Sequence, residues 1–211
     1  MKIDADIRRF GQKLQAAPAG SGVCNFYAAK RTNTQRHNLQ LYLQQLRALA
    51  PELLLVGEAP GYNGCRLTGV PFSSEALLAE GVLDGKLFGA ANGYRIAREP
   101  FTREQSAGIV WEVLQTHGKA AVCWNAFCFH PHQPDRPDTN RKPTAKEIDT
   151  AAPFLLELLA LFPSVATVVA VGNSAEAALT RLGILHTKVR HPAHGGKPQF
   201  VTGMKKLLAC G

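Results

Sequence analysis

The stretch LLLVGEAPG, residues 53–61, decides the fold prediction because a short apolar run leads straight into a glycine-bounded turn. An uninterrupted run of this length, ending in Gly57, is typical of a strand buried on both faces of a parallel sheet. Three further strands are predicted along the chain: apolar runs in AAVCWNAF at 120–127 and VATVVAVG at 165–172, and a short strand in LHTKVRHP at 185–192. Helical segments separate the four strands. This alternation predicts an α/β protein with helices on both faces of a parallel sheet.

Two cap signals indicate where helices begin between these strands. Thr102 with Gln105 resembles a capping box, and Thr144 with Glu147 resembles a second one. Pro153 lies inside the helix that follows Thr144, so we expect a kink or a break there. The segment with four prolines that precedes Thr144 is predicted to be a loop.

The chain has 211 residues and the composition of an ordinary globular protein. Hydrophobic residues make up 45% and charged residues 19%, which excludes wholesale disorder. The length fits a single domain spanning residues 1–211, in which residues 1–50 form a helical extension packed on the rest. No apolar run reaches the roughly 18 residues of a membrane span, and the N-terminus lacks the apolar region of a secretion signal. We therefore expect a cytoplasmic protein with no membrane partner.

The net charge of +8 is concentrated at the two ends of the chain. Residues 1–50 carry a balance of +6 and residues 186–211 one of +5, whereas the segment between them is mildly acidic. Clustered Lys and Arg side chains indicate a polyanionic partner such as a nucleic acid, although many basic proteins bind none.

The five cysteines are spaced too widely for a disulfide framework. No CxxC pair occurs, and without a secretion signal free thiols are the expected state. Cys123 and Cys128 are an odd number of residues apart, so on a strand they would point to opposite faces. Cys128 also lies near His130 and His132, but no second ligand cluster accompanies them and the prolines disfavour a regular scaffold. We therefore expect no metal and no cofactor.

Polar groups follow three of the predicted strands, at the edge where parallel sheets bind ligands. GEAPG follows the first strand, Asn125 ends the second, and His191 with Pro192 ends the fourth. The glycines allow positive φ and a close approach of the backbone to a ligand. Asn125 offers a paired donor and acceptor, and a histidine is able to donate to a carbonyl oxygen or an anion. Each feature has an ordinary alternative: a strand-ending turn, an amide that ties loop backbone together, and a common dipeptide.

The ordered combination of these features resembles the uracil-DNA glycosylase superfamily. It consists of LLLVGEAPG, then PF at 71–72, an Asn-ended strand, NRKPTAKEI with VVAVGNSAEAAL, and HPA at 191–193. GEAPG makes family 4 the closest branch. The resemblance runs from Leu53 to the C-terminus, leaves residues 79–118 unplaced and does not reach the first 50 residues. It implies a three-layer α/β/α sandwich on a central four-stranded parallel sheet, and a deoxyuridine flipped out of DNA into a pocket.

The resemblance also implies a role for each matching residue. His191 would donate to the ring oxygen that gains charge as the base leaves, which is electrostatic stabilisation of a leaving group. Phe72 would stack on the base, and Asn125 would read its polar edge. The other implied substrate-binding residues belong to the turn: Gly57, Ala59, Pro60, Gly61 and Tyr62. The residues expected to face DNA are Arg66, Pro192, His194, Gly195 and Lys197, with His130 and His132 as an alternative lining of that side.

The sequence departs from the family 4 pattern in three places. It lacks the four cysteines that hold an iron–sulfur cluster, and no acidic residue follows the GEAPG turn where that branch usually has one. Ala59 occupies the position at which other branches place an Asp or Asn that handles the attacking water. Glu58 is the nearest remaining carboxylate, so we predict it as a second catalytic residue that orients water or stabilises the sugar cation. The alternative for Glu58 is a cap on local backbone.

Gly61 bears on the choice of lesion. The most uracil-selective branch has a bulky aromatic at this position, which excludes the methyl group of thymine. A glycine leaves room there unless the adjacent Tyr62 takes over. Mismatched thymine, hypoxanthine and xanthine therefore remain open as substrates beside uracil.

The sequence thus predicts a monofunctional hydrolase of base excision repair, a uracil-DNA glycosylase that releases a deaminated base and leaves an abasic site. DNA is the expected partner, and the protein is expected to be a monomer. One alternative is a non-cleaving protein of the same fold that binds a nucleic acid or nucleobase, which Ala59 and the missing acid favour. A further alternative is action on a small nucleobase derivative, which the cationic termini argue against.

Overall fold

A computed structural model describes residues 2–28, 33–96 and 99–209. The described strands are β1 (Val23–Cys24), β2 (Leu53–Gly57), β3 (Ala121–Asn125), β4 (His130–Pro131), β5 (Thr167–Val171) and β6 (Thr187–Val189). The described α-helices are α1 (Ala5–Ala16), α2 (Thr34–Leu49), α3 (Cys65–Thr68), α4 (Glu75–Glu80), α5 (Gln105–Thr116), α6 (Ala145–Leu161), α7 (Asn173–Arg181) and α8 (Lys197–Ala209). A short 3₁₀-helix covers Ala90–Asn92.

The four predicted strands form one parallel sheet in the order β3-β2-β5-β6. The register pairs Gly57 at the end of β2 with Asn125 at the end of β3. Helices flank this sheet: α7 packs against β2 and β5, α8 against β6, and α2 against β3. The predicted α/β fold, with helices around a central four-stranded parallel sheet, is confirmed.

One hydrophobic core joins residues from Ile7 in α1 to Met204 in α8. Helix α1 packs on α2 and α6. Its Phe10 is fully buried, and the Phe10 ring centroid lies 5.6 Å from that of Trp124 on β3. The first helix therefore buries its apolar side against the same core that covers the sheet.

One of the two predicted capping boxes is present. Thr144 accepts a hydrogen bond from the Glu147 N–H, and the Glu147 side chain accepts one from the Thr144 N–H. The prediction that Thr102 caps a helix was wrong, because helix α5 begins at Gln105 and is capped by Glu104. Thr102 instead donates its N–H and its hydroxyl to the Glu75 carboxylate.

Two other local predictions need correction. Helix α6 continues through Pro153 in the middle of its 17 residues, so the break expected there is absent, and the proline costs a backbone hydrogen bond without ending the helix. The segment predicted as a loop begins with strand β4, which pairs antiparallel with β1. Strand β3 ends at Asn125, so Cys123 and Cys128 do not lie on one strand, and the prediction that they point to opposite faces of it does not apply. Within the described ranges, no helix combines the length and apolar character needed to cross a bilayer.

Candidate active site

A cleft opens at the carboxyl edge of the sheet, where β2, β3 and β6 end. Its walls are the turn after β2, the end of β3, the segment after β6 and residues 103–106 at the start of α5. The residues predicted from sequence that line it are Gly57, Glu58, Ala59, Pro60, Gly61, Tyr62, Phe72, Asn125, His191 and His194. With residues 72–73 and Asn140, six separate parts of the chain thus meet at the edge where ligands bind in parallel sheets.

Gly57 is required by close packing rather than by backbone conformation. A Cβ at this position would lie 2.7 Å from Asn125 Oδ1 and 2.8 Å from Phe72 Cζ. Neither Gly57 nor Gly61 has a positive φ, so that part of the sequence argument was wrong. Apart from its chain neighbours Pro60 and Tyr62, the one described residue within 4 Å of a Cβ added at Gly61 is Asn140, whose Nδ2 would lie at 3.9 Å, so no distant part of the described chain fills the space beside Gly61.

Phe72 is held in an unusual backbone conformation beside the floor of the cleft. Its φ is 48°, a left-handed value that costs of order 1–3 kcal/mol for a residue other than glycine. The Phe72 carbonyl accepts a 2.8 Å hydrogen bond from the indole N–H of the buried Trp111. The next residue, Ser73, is anchored by hydroxyl bonds to Val70 O and Thr68 Oγ1. These contacts fix the ring edge against Gly57.

Asn125 is a buried polar side chain that faces the cleft. Only 5% of the residue is exposed, and its side-chain amide makes no hydrogen bond to any residue that the structure describes. Buried amides are ordinarily satisfied, so this one is available to a ligand. No bond supports the alternative that it ties loop backbone together.

His191 is half-buried and its tautomer is set by the backbone. The Ala193 N–H lies 3.2 Å from Nδ1 and can only donate, so Nδ1 accepts and a neutral ring carries its proton on Nε2. Burial lowers the pKa of His191, and the negative charge of Glu104 opposes that effect. The neutral ring is therefore favoured at pH 7. Gly172 packs beneath it, because an added Cβ would lie 2.9 Å from His191 Cβ.

The turn after β2 is anchored to the loop that follows β4. His130 is fully buried, with Nδ1 at 2.8 Å from Pro60 O and Nε2 at 3.1 Å from Pro137 O. The Tyr62 N–H donates to Asn140 Oδ1 at 3.0 Å. His130 therefore supports the turn from behind and does not line the DNA side of the cleft, contrary to the alternative that the sequence left open. Asn140, which does line the cleft, belongs to the matched NRKP motif but had no predicted role.

Two carboxylates line the cleft. The Glu58 side chain makes no hydrogen bond to the described residues. Glu104 accepts the Ser106 N–H at 3.0 Å on Oε1 and the Ala107 N–H at 2.6 Å on Oε2. Sequence reasoning missed Glu104 because it lies in the section that the superfamily resemblance left unplaced, and a glutamate before a helix is a weak signal.

The residues predicted to face DNA divide into two groups. His194, with a φ of 52°, and Gly195, with a φ of 75°, form an exposed tight loop at the rim. Arg66 lies behind the turn, where its Nε donates to Tyr62 O. Pro192 is buried, and Lys197 lies outside the cleft with its Nζ 2.7 Å from Glu112 Oε2.

The cysteines do not fit the iron–sulfur cluster of family 4. Among the described residues, no three Cys, His, Asp or Glu side chains converge in a way that could hold a metal ion. Burial raises the pKa of Cys65 and Cys128 well above the ordinary thiol value, and that of Cys123 to about 12. Cluster ligands are thiolates, so these thiols are poor candidates. Cys24 is half-buried, and Cys210 lies outside the described residues.

Comparison with known proteins identifies the class to which this fold and cleft belong. The family model described as the Uracil DNA glycosylase superfamily matches residues 43–204. The chain therefore belongs to the uracil DNA glycosylase superfamily. This membership supports a uracil glycosylase-type function with DNA as substrate, and the members of the class are glycosylase hydrolases.

A solved structure is similar over nearly the whole chain. The crystal structure of wild-type SMUG2 from Pedobacter heparinus superposes with a TM-score of 0.65, covering 97% of each chain at 14% sequence identity. An identity this low shows the shared fold alone. A search of the curated proteins found no match. The comparisons support the superfamily and do not extend to the family 4 branch that the GEAPG turn suggested.

Proposed function

We propose that this protein is a DNA repair glycosylase that hydrolyses the N-glycosidic bond of uracil, or of a related deaminated base, flipped out of DNA. The observation that carries the proposal is the Asn125 amide, which is buried, faces the cleft and has no hydrogen-bond partner among the described residues. An aromatic ring and a histidine donor share the same cleft. A flat base with a polar edge satisfies all three groups at once.

Base recognition rests on the floor of the cleft. The Phe72 ring offers a stacking surface, and Gly57 lets the ring and the Asn125 amide approach each other closely. The amide of Asn125 offers one acceptor and two donors, which complement the N–H and carbonyl groups of an imide edge. The open space beside Gly61 admits bases larger than uracil, so hypoxanthine, xanthine and mismatched thymine belong on the test panel.

Bond cleavage rests on His191 and on a carboxylate. As the bond between C1′ and the base breaks, its electron pair moves onto the base, and Nε2–H of His191 donates to the ring oxygen that gains this charge. Such a donor is worth about 10²–10³-fold in rate. Glu58, on the turn, supplies a negative charge toward the sugar cation or the attacking water. Water then adds to C1′, leaving an abasic site and a free base.

DNA is held by the rim and the cationic surface around it. His194 and Gly195 stand at the rim, and Arg66 lies behind the turn. Lys197 pairs with Glu112 outside the cleft, and Pro192 is buried beside His191. Phosphate neutralisation by such groups provides sequence-independent affinity that falls with salt.

Within the superfamily, the GEAPG turn supports a relation to the family 4 branch without its iron–sulfur cluster. Iron content near zero in the purified protein is the expected result. A brown protein with a visible absorption band would contradict it. The proposal also takes the enzyme to be a single-domain monomer acting in the cytoplasm, and gel filtration at assay concentration tests the oligomeric state.

A non-cleaving nucleic-acid-binding protein is the second candidate, because Ala59 lines the cleft where other branches carry a water-handling side chain. Such a protein would use the same base pocket and the same rim without hydrolysing the bond.

The test is base release from labelled oligonucleotides that carry uracil, hypoxanthine, xanthine or mismatched thymine, read after alkali treatment. Wild type, Asn125→Ala and the control Asn92→Ala are compared at two salt concentrations. Asn92 lies in the 3₁₀-helix outside the cleft and donates to Gly85 O. Release that only Asn125→Ala abolishes is the expected result and names the lesion. No release from any substrate, together with salt-sensitive binding, would establish the non-cleaving protein.

A further inference from the structure

The wall of the cleft formed by the start of α5 carries a carboxylate that no matched motif contains. Glu104 lies just before helix α5 and lines the cleft together with Asn125 and His191. It belongs to the section between residues 79 and 118 that the superfamily resemblance left unplaced. Its presence there matters because Ala59 leaves the usual position of the water-handling group without a polar side chain.

The Glu104 carboxylate is fixed in orientation. Oε1 accepts the Ser106 N–H at 3.0 Å, and Oε2 accepts the Ala107 N–H at 2.6 Å. An ionised carboxylate has about four acceptor sites, so roughly two remain for a further donor such as water. By contrast, the Glu58 side chain has no hydrogen bond to the described residues that would hold it. A preorganised group is the better catalyst because it needs no reorganisation during the reaction.

Glu104 also lies close to both the turn and the leaving-group histidine. A Cβ added at Gly64, three residues after Gly61, would lie 3.1 Å from Glu104 Cγ, so the side chain packs directly on the end of the turn. Its charge is felt at His191, whose pKa it raises against the lowering effect of burial. Glu104 therefore lines the same cleft as the turn after β2 and His191, and it packs on the end of that turn.

We propose that Glu104 is a catalytic residue that holds the attacking water and accepts its proton. This inference rests on the proposed glycosylase function. In the step, a water oxygen forms a bond to C1′ while the bond from C1′ to the base breaks, and that electron pair leaves on the base. One water proton passes to Glu104 and then to solvent. Glu58 is left to stabilise the positive charge on the sugar.

Three substitutions separate this role from the capping of α5. Glu104→Ser keeps an N-cap acceptor, removes the carboxylate and leaves space beside the helix. Glu104→Asp keeps both the charge and the cap. Glu157→Gln is the control, because it removes a glutamate that pairs with Lys13 far from the cleft. Each variant is measured for single-turnover base release, DNA affinity and Tm, in sodium formate and in sodium chloride at equal ionic strength.

We expect Glu104→Ser to release base about 10²-fold more slowly than wild type, in the range of a lost general base. Its DNA affinity and Tm should stay close to wild type. Formate should recover at least several-fold of the rate, since it restores a carboxylate in the vacated space. Glu104→Asp should be impaired less than Glu104→Ser, and Glu157→Gln should match wild type with no response to formate.

Other outcomes overturn the inference in distinguishable ways. If wild type releases base and Glu104→Ser does so equally fast, Glu104 has no catalytic role while the proposed function stands. If Glu104→Asp, which keeps the carboxylate, is as slow as Glu104→Ser and formate restores neither, the loss does not come from a missing base, and the catalytic role of Glu104 is wrong. If wild type releases no base from any substrate on the panel, the proposed function and this inference fail together.

Discussion

Asn38 and Asn125 are both buried, but they differ in the hydrogen bonds that their side-chain amides make. Asn38, on α2, is fully buried and donates to Thr68 O and Arg95 O, while its Oδ1 accepts the Arg95 N–H. Asn125, at the end of β3, is 5% exposed and has no side-chain partner in the described structure. A buried polar group normally contributes to stability through its bonds. A buried polar group without a hydrogen bond at the carboxyl edge of a parallel sheet indicates a site for a ligand.

The comparison extends to the two regions that these residues represent. The segments around α2 and α6 satisfy their polar groups internally, as in the capping box of Thr144 and Glu147. The cleft presents unbonded groups and a strained Phe72 toward solvent. Substitutions in the first region should therefore change the free energy of unfolding, and those in the second should change base release.

The largest effect should come from His191→Ala. Losing the donor to the leaving base should slow base release by about 10²–10³-fold, while DNA affinity and Tm change little. Single-turnover kinetics and fluorescence anisotropy on the same oligonucleotide measure the two quantities. Equal losses of base release and DNA affinity would mean that His191 holds DNA instead of assisting departure of the base. The cleft would then not act on base release alone.

Asn38→Ala should show the reverse pattern. It leaves two carbonyls and one N–H without their partner, so the free energy of unfolding should fall by about 2–4 kcal/mol. Urea denaturation measures this value, with Asn125→Ala as the matched variant of the same size. Asn125→Ala should cost far less stability. If it destabilised the fold as much as Asn38→Ala, the claim that Asn125 is unbonded would be wrong.

The ion pair between Glu147 and Arg141 should give the first region a pH dependence. The Arg141 guanidinium lowers the pKa of Glu147 from 4.5 to about 2. A lowered carboxyl pKa contributes stability above the unfolded value, and this contribution disappears as the pH falls toward 2. Glu147→Gln should therefore lower the free energy of unfolding by about 1–3 kcal/mol at pH 7, and by much less near pH 2.

The exposed pair of Asp149 and Arg181 provides the control for this pH dependence. Both side chains lie in solvent, so Asp149→Asn should leave the stability at pH 7 unchanged within error. A similar loss from both substitutions would indicate that general surface charge, not the ion pair between Glu147 and Arg141, determines the acid response. Thermal unfolding followed by circular dichroism between pH 2 and pH 7 covers both variants.

The smallest effect tests the boundary between the two regions. Trp111 is fully buried in α5 and donates its indole N–H to the carbonyl of Phe72. Trp111→Phe keeps most of the buried ring and removes the donor, so stability should fall by about 1 kcal/mol. Because Phe72 loses an anchor, the rate of base release should fall a few-fold. The affinity for DNA should fall by less than this rate does. An unchanged rate would show that the Thr68 and Ser73 hydroxyls hold Phe72 without help.

Much of the fold was predictable because it follows from local pattern. Three short apolar runs and the segment LHTKVRHP, separated by helical segments, were enough to predict the parallel sheet, and Thr144 with Glu147 correctly marked the start of α6. The errors also have local causes. Thr102 and Glu104 are both able to cap a helix, and contact with Glu75 decides between them. Strand β4 is two residues long and exists only because β1 is beside it.

The candidate site was predictable to the extent that it lies on strand ends. Gly57, Asn125 and His191 follow strands, and parallel strands present their carboxyl ends at one edge. Glu104, Asn140 and Trp111 had no such marker. They come from a helix start, an irregular loop and a helix interior, and they reach the cleft or its support only through the packing of α5 and of the loop after β4.

The sequence by itself determined the order of the central strands along the chain, the position of the turn after β2, and which side chains were candidates for binding a base. Apolar periodicity and residue chemistry are local properties, so one chain is sufficient to read them. Only the tertiary structure decided that Asn125 is unbonded, that Phe72 is held at a φ of 48°, and that a second carboxylate faces the cleft. Each of these depends on which distant atoms come within a few ångströms of each other, and that is fixed only when the chain is packed.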